Sequence, residues 1–322
     1  MGVLTVTAAA GLVAGGRPAA ADPPEPTRFR SEIEAVDAPP GTVDARVLGG
    51  DAFLEISVTP GHEAVVYGYQ GEPYLRVRAD GTVERNRRSP ATWLNEDRRG
   101  TATLPPDVDP QADAAWEQVT TDGTYAWHDH RIHWMQEQDP AGVEPGDVVL
   151  AWTVPLQVDG IPAEVRGRLV LAEPVSPVPW LLLAVAAGVA VVLGARRAAE
   201  TPAWASTASA VIALMMAWGQ WATAPAGSGP SQVPVATAAV GFVGAVAAMA
   251  LDGRGQAIAT LVAGSAASAW ALLRLEVLWM PVLPTTLPFA VDRAVTALAL
   301  GLGATSAALA AWRAGRPAVP AA

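Results

Sequence analysis

Three of the four histidines of this 322-residue chain lie within six consecutive positions, at His128, His130 and His133. Neutral imidazole is a ligand for copper, zinc and nickel, and the thioether of Met135 is a soft ligand that suits copper(I). The sequence therefore predicts a metal site made by His128, His130, His133 and Met135. We expect copper as the metal, with zinc as the alternative.

The residues between these histidines decide how such a site can form. On a strand, His128 and His130 point to the same face because side chains alternate, and His133 needs a turn or a bulge to join them. Asp129 and Arg131 flank the histidines and are predicted to orient them by hydrogen bonds. The alternative is a polar, aromatic strand or loop in which the histidines are structural.

Known catalytic patterns do not fit this segment. The order H-D-H-x-x-H differs from the H-E-x-x-H zinc motif, and no Ser-His-Asp order or Gly-rich phosphate loop is present. The chain contains no cysteine, which excludes disulfides, thiol nucleophiles and thiolate metal sites. We expect a protein that is not an enzyme. A zinc-dependent hydrolase is the third alternative, and it needs an acid such as Asp129 or Glu137 near a metal-bound water.

A second group of charged residues lies inside apolar sequence. Arg274 and Glu276 come late in the fourth of five apolar segments, whereas Asp292 and Arg293 come early in the fifth. Antiparallel spans place all four at similar depth near the outer end. Charges within a membrane mark a functional site or an interhelical pair. We predict two opposite-charge pairs that lock the helices, with an ion entry point or a docking site for the outer domain as alternatives.

Five apolar segments follow Pro174, and each approaches the ~20 residues that a bilayer requires. They are 179–195, 202–221, 234–251, 257–280 and 287–312. Arginines follow the first, third and fifth segments, at Arg196, Arg197, Arg254, Arg313 and Arg316. The positive-inside rule makes these loops cytoplasmic. We therefore expect a multi-pass cell-membrane protein with its N-terminal domain outside the cell and its C-terminus inside.

The region before these segments reads as β structure. Residues 45–174 contain short runs that alternate apolar and polar residues, with turns predicted at Asp80-Gly81 and Asp159-Gly160. This pattern predicts an extracellular β-sandwich of immunoglobulin-like type. Residues 1–21 are expected to be a secretory signal and 22–44 an acidic, Pro-rich linker. A helical membrane bundle over 175–316 and a cytoplasmic tail over 317–322 complete the predicted organisation.

The outer domain is strongly acidic. Residues 22–174 hold 27 aspartates and glutamates against 13 arginines. Such a charge balance argues against nucleic acid as a partner. The predicted partners are the lipid bilayer and an envelope protein or another membrane subunit.

In layout, an exported β domain with clustered histidines followed by membrane spans, the chain resembles copper-resistance proteins of the CopC/CopD type. That resemblance implies copper binding on the outer sandwich. The chain departs from the pattern because its apolar segments contain no histidine. The WLN and W-H-D-H-R-x-H-W-M stretches also resemble uncharacterised actinobacterial membrane proteins. The resulting hypotheses are a metal-handling protein and an envelope interaction protein whose histidines are structural.

Overall fold

The computed structural model describes residues 22–136, 138, 140–222 and 232–315. The predicted signal at 1–21, Glu137, Arg316 and the tail at 317–322 lie outside the described residues. The described chain has an N-terminal part made of antiparallel β-sheets and a C-terminal helical part.

Ten strands build the N-terminal part. They are β1 Phe29–Asp37, β2 Val43–Leu48, β3 Phe53–Val58, β4 Ala64–Tyr67, β5 Pro73–Val77, β6 Val83–Asn86, β7 Trp116–Thr120, β8 Thr124–Trp127, β9 Val148–Val158 and β10 Ile161–Leu171, with a short helix α1 at Pro90–Leu94. Seven strands form one sheet in the order β1-β10-β9-β4-β5-β6-β7, and three form a second in the order β2-β3-β8. Both sheets contribute to one hydrophobic core. The immunoglobulin-like type stays a prediction.

The predicted hairpin at Asp159-Gly160 is confirmed. β9 and β10 pair in antiparallel register around this two-residue turn. Asp159 and Gly160 both have positive φ, 51° and 79°. Two left-handed residues match the twist of the flanking strands, and Asp-Gly tolerates that conformation.

The prediction of a linker over 22–44 is wrong from Phe29 onward, because β1 occupies part of it and pairs with β10. The acidic residues that suggested a solvated linker are cross-strand partners of arginines. Arg168 Nη2 lies 2.9 Å from Glu32 Oε2, and Arg166 Nε lies 2.9 Å from Asp37 Oδ2. Opposite charges on neighbouring strands stabilise a sheet. The acidic residues of this segment are therefore part of a strand and not of a solvated linker.

The helical part contains α2 Val178–Ala195, α3 Thr201–Ala222, α4 Gln232–Ala250, α5 Gly253–Leu273 and α6 Phe289–Ala314, with a 3₁₀ turn at Leu275–Leu278. Within the described residues α2, α4, α5 and α6 are long and apolar enough to cross a membrane. These four helices indicate a multi-pass membrane protein. The helix α3 packs against α4, α5 and α6 without reaching the same apolarity. A fifth crossing and the orientation in the membrane remain predictions.

Close helix packing depends on small residues. A Cβ on Gly301 of α6 would clash with the backbone of Ala184 in α2, and a Cβ on Gly264 of α5 would lie 2.6 Å from the carbonyl oxygen of Gly303. Membrane helices approach this closely where small residues face each other. The helix α6 is therefore held between α2 and α5 by backbone contact.

The sheet part touches the helical part at one backbone bridge. Thr27 donates to the carbonyl of Val282 at 3.0 Å, and Val282 donates back to Thr27 at 3.1 Å. Val282 lies in the loop between α5 and α6. Gly50, with φ +83°, packs so closely on the Val282 side chain that a Cβ there would clash. The bridge places the sheet part on the α5–α6 loop.

The histidine cluster as a candidate metal centre

The histidine segment follows a strand but does not continue it. β8 ends at Trp127, so the expectation that His128 and His130 share one strand face is wrong. Ile132 donates to the carbonyl of Asp129 at 3.0 Å and closes a turn. This turn brings the His133 ring to 5.4 Å from His130 and 6.3 Å from His128, measured between ring centroids.

His128 is a structural link between two distant segments. Its Nδ1 lies 2.6 Å from the carbonyl of Ala52 and its Nε2 lies 3.0 Å from the carbonyl of Asp22. The ring is buried and stacks on Phe53 at 4.1 Å. Burial lowers the pKa of His128. Both nitrogens face carbonyl oxygens, which fill the directions from which a metal ion would bind, although a neutral ring donates to only one of the two.

His130 and His133 have a different arrangement. The Nε2 of His130 contacts the carbonyl of Asp97 at 3.1 Å, and the Nε2 of His133 contacts the carbonyl of Arg98 at 2.8 Å. A carbonyl only accepts, so each Nε2 carries a proton, and in the neutral ring the lone pair is then on Nδ1. The Nδ1 of His133 is buried without a hydrogen-bond partner. Within the described chain, Nδ1 of His130 has no partner either.

The protonation state of His133 follows from its surroundings. The residue is 1% exposed. Burial lowers its pKa to about 3, and the charge of Arg98 adds to the effect. Arg98 itself is bound by the buried Asp51, at 2.6 Å between Nη2 and Oδ2. His133 is therefore a neutral imidazole with an available lone pair at ordinary pH.

The structure reduces the predicted donor set to two nitrogens. Metal–nitrogen bonds are about 2 Å long, so two imidazoles on one tetrahedral ion have centroids roughly 5 Å apart. The His130–His133 separation of 5.4 Å is compatible with a shared ion. Met135 is 37% exposed, and no contact places it with the two rings. The described residues contain no group of three or more His, Asp or Glu side chains placed to hold a metal ion.

Asp129 and Arg131 contact each other and not the imidazoles, so their predicted orienting role is wrong. Arg131 donates through Nε to Asp129 Oδ1 at 2.7 Å and through Nη2 to Oδ2 at 2.6 Å. The indole of Trp127 donates to Asp129 as well, at 2.9 Å. Despite burial, the guanidinium of Arg131 lowers the pKa of Asp129. Both oxygens of this carboxylate accept hydrogen bonds from Arg131, so Asp129 cannot serve as the acid that a hydrolase needs.

The backbone groups that orient the rings were missed from the sequence. Asp97 caps a tight turn by accepting from the amides of Arg99 at 2.7 Å and Thr101 at 2.9 Å. Gly100, with φ +64°, lies against His130 so that a Cβ would be 2.6 Å from its Cε1. The pattern D-R-R-G-T is a turn signal. Nothing in that signal shows which ring lies beside the turn.

The four intramembrane charges form one ion pair, although two were predicted. Arg274 Nη2 contacts both carboxylate oxygens of Asp292, at 2.9 and 3.1 Å, and the guanidinium stacks on Trp270 at 4.7 Å. Arg293 instead donates to the carbonyls of Val277 and Met280, at 3.1 and 2.8 Å.

Glu276 is exposed, and it forms no ion pair with any residue that the structure describes. The fourth span, predicted to reach residue 280, ends at Leu273. The next residue, Arg274, turns its side chain to Asp292 on the following helix.

No protein-family model matches the sequence, and neither a curated protein nor a solved structure is significantly similar to it. The site is therefore interpreted from its own geometry.

Proposed function

We propose that this chain is a membrane-anchored, extracytoplasmic copper-binding protein, in which His130 and His133 hold the ion and serve copper handling or delivery. One observation carries the proposal. The two neighbouring imidazoles each donate Nε2–H to a main-chain carbonyl, and the Nδ1 lone pair of His133 is buried without a partner.

This hydrogen-bond pattern supports metal ligation. Metal-bound histidines almost always donate their other ring N–H to a carbonyl, a carboxylate or water, which fixes the tautomer and the ring orientation. A buried polar atom without a partner is uncommon in proteins, and a bound ion or a water molecule often satisfies such an atom. His130 is only half-buried, which gives an ion a route from solvent to the pair.

The charges around the pair favour copper(I) over zinc. Two neutral nitrogens supply no negative charge, and Arg98 lies close enough to lower the pKa of His133. Both features oppose a divalent ion more than a monovalent one. Structural zinc also takes four ligands, which the described residues do not bring together. The 5.4 Å separation of the two rings corresponds to a bent rather than a linear pair of ligands, so a copper(I) ion held here takes a further ligand from solvent or from a delivery partner.

The remaining elements of the proposal concern location. The arginines that follow predicted spans one, three and five support a sheet domain outside the cell and a C-terminus inside. The outer domain is then a sandwich of immunoglobulin-like type, and its bridge to Val282 holds the histidine cluster above the bundle.

The test is a copper(I) titration of the full chain in detergent, under reducing conditions and against a chromophoric copper(I) chelator. We expect one ion per chain with sub-micromolar affinity. His130→Ala removes one of two donors from a half-buried position and lowers the affinity by more than roughly tenfold. His62→Ala is the matched control, because His62 is half-buried like His130 and contacts Asp159 at 2.7 Å on a distant turn.

The result that contradicts copper binding is equal affinity in the wild type and in His130→Ala. Thermal unfolding of each variant, followed by tryptophan fluorescence, separates loss of a ligand from loss of the fold. A His130→Ala chain that unfolds at the wild-type temperature and no longer binds copper(I) supports the proposal.

A second function is favoured by His128. All three rings contact main-chain carbonyls, and the His128 ring lies between the carbonyls of Ala52 and Asp22. In that alternative the cluster is structural and the sheet domain docks an envelope protein. It predicts no copper uptake and a partner recovered by crosslinking at the outer surface.

A further inference from the structure

A polar cleft lies at the arginine-rich end of the helical bundle, and the copper proposal does not involve it. The cleft has a volume of about 380 Å³ and lies between the first turns of α3 and α5 and the last turns of α6. Its charged lining residues are Arg254 and Arg313, and no acidic residue among the described ones lines it. Glu200 and Asp252 precede the two helices without lining the cleft.

The polar groups of the cleft are incompletely satisfied by the protein. Arg254 is exposed and makes no hydrogen bond or ion pair with any described residue. Arg313 is half-buried and donates one Nη1 bond to the carbonyl of Ala199. Thr260 is 3% exposed, and its hydroxyl has no hydrogen-bond partner in the described chain. The hydroxyl of a buried threonine and two guanidinium groups thus line one space.

The backbone adds to this positive potential. Helix N-termini carry unpaired N–H groups and a partial positive charge. The first residues of both α3 and α5 line the cleft, and Asp252 makes no side-chain cap bond to α5. The side chains of Arg254, Arg313 and Thr260 supply the specific contacts to a ligand, and the partial positive charges of the two helix N-termini strengthen the attraction for an anion.

The depth of the cleft matches that of lipid phosphates. The 26 residues of α6 extend about 39 Å at 1.5 Å per residue, which exceeds the about 30 Å of a hydrocarbon core. The ends of α6 therefore reach the headgroup region. Basic pockets between membrane helices at this level bind phosphate-bearing headgroups.

We propose that this cleft binds a phosphate group, supplied by the headgroup of an anionic lipid, through Arg254, Arg313 and the Thr260 hydroxyl. Arginine forms paired hydrogen bonds to phosphate oxygens. The hydroxyl donates to a third oxygen. A zwitterionic headgroup also carries a phosphate, but its ammonium group has no carboxylate to contact in the described lining of the cleft.

The test is native mass spectrometry of the full chain released from detergent, with phosphatidylglycerol or phosphatidylcholine added. We expect retained phosphatidylglycerol adducts and few phosphatidylcholine adducts. Arg254→Gln/Arg313→Gln reduces phosphatidylglycerol retention at least fivefold. Arg196→Gln/Arg197→Gln is the matched control, because it removes two exposed arginines from the same end outside the cleft.

A competition with inorganic phosphate identifies the source of the phosphate group. Displacement of lipid by millimolar phosphate assigns the cleft to soluble phosphate, whereas resistance assigns it to lipid, and both outcomes support a phosphate site. Equal loss of adducts in the two arginine variants overturns the proposal, because retention then reflects surface charge alone. Thr260→Val, which keeps both arginines, is expected to weaken retention without changing the unfolding temperature.

Discussion

The histidine cluster and the intramembrane charge cluster both bury polar groups against main-chain carbonyls, but they differ in what remains unused. Among the rings of the histidine cluster, the buried nitrogen without a partner is Nδ1 of His133, which offers a lone pair. In the bundle it is an N–H donor, Nη1 of Arg274. A leftover lone pair can accept a cation, whereas a leftover donor cannot. The comparison supports the proposal that the first cluster binds an ion and that the second holds two helices together.

The largest effect on stability is expected from breaking the Arg274–Asp292 ion pair between α5 and α6. Asp292→Ala leaves Arg274 buried and unpaired, and removing one partner of a buried pair costs about 3–5 kcal/mol. We expect a large fall in the thermal unfolding temperature of the detergent-solubilised chain, or loss of folded protein. Glu276→Gln, which changes an exposed acid nearby, is expected to stay within about 0.5 kcal/mol of the wild type.

A double variant shows whether the Arg274–Asp292 pair only stabilises the contact between the two helices or has a further role. Arg274→Met/Asp292→Leu replaces the pair by apolar side chains and should restore most of the stability that Asp292→Ala loses. If the double variant is as unstable as Asp292→Ala, the pair does more than lock α5 to α6, and the ion-entry alternative gains support.

An effect of pH is expected in the metal-free sheet domain. Folding lowers the pKa of His133 from 6.5 to about 3. Between these values the unfolded chain binds a proton that the folded chain does not, so stability is full above pH 6.5 and falls as the pH drops toward 3. The slope for one proton is about 1.4 kcal/mol per pH unit. Chemical unfolding in detergent at pH 7, 5.5 and 4 measures it.

The assignment of this slope to His133 has its own test. His133→Asn should flatten the pH dependence. An unchanged slope in His133→Asn would mean that other groups carry the acid sensitivity, among them His128, whose pKa burial also lowers.

A smaller effect is expected at the Thr27–Val282 bridge, where the sheet part contacts the helical part. Because Thr27 and Val282 exchange both backbone hydrogen bonds, their Cα atoms lie about 5.5 Å apart, a distance that suits a disulfide. Thr27→Cys/Val282→Cys in this cysteine-free chain should form a disulfide, visible as a gel shift on reduction. Adding Gly50→Ala should lower the yield, because the new Cβ would lie 2.4 Å from the Cγ1 position of residue 282, one of the positions that the introduced sulfur atom can occupy.

Gly41→Ala is the matched control for Gly50→Ala. Both glycines have positive φ, 76° and 83°, but a Cβ on Gly41 meets no atom within 4 Å. Both substitutions strain the backbone, and only one of them alters the contact. Equal disulfide yields in the two variants would argue against docking of the sheet domain on the α5–α6 loop.

The smallest effect is expected at the lone histidine. His62→Ala removes an exposed contact with Asp159, and exposed ion pairs contribute about 0–1 kcal/mol. We expect an unfolding temperature close to the wild type and unchanged copper(I) affinity. A copper(I) loss equal to that of His130→Ala would show that isolated imidazoles, and not the paired rings, bind the ion in solution.

Local patterns predicted most of the elements. Period-two alternation and the Asp159-Gly160 turn predicted the β9–β10 hairpin, and apolar length predicted α2, α4, α5 and α6. The strand β1 was missed because its acids pair with arginines about 130 residues away. Charge composition gives no information on such distant pairing.

Histidine spacing named the residues of the candidate site, but it did not predict how their rings are arranged. It singled out His130 and His133, but the strand interpretation gave the wrong arrangement because β8 ends at Trp127. The carbonyls of Asp22, Ala52, Asp97 and Arg98 fix the rings. Any residue type supplies a carbonyl, so no sequence pattern indicates these contacts.

The bridge between Thr27 and Val282 also has a consequence for the order in which the parts of the chain fold. It joins residues 255 positions apart, and contacts at such separation form late because loop closure must come first. During synthesis Thr27 emerges long before Val282, and domains fold as they emerge. Val282 reaches its position only when α5 and α6 are paired. The sheet domain can therefore dock on Val282 only after α5 and α6 have paired.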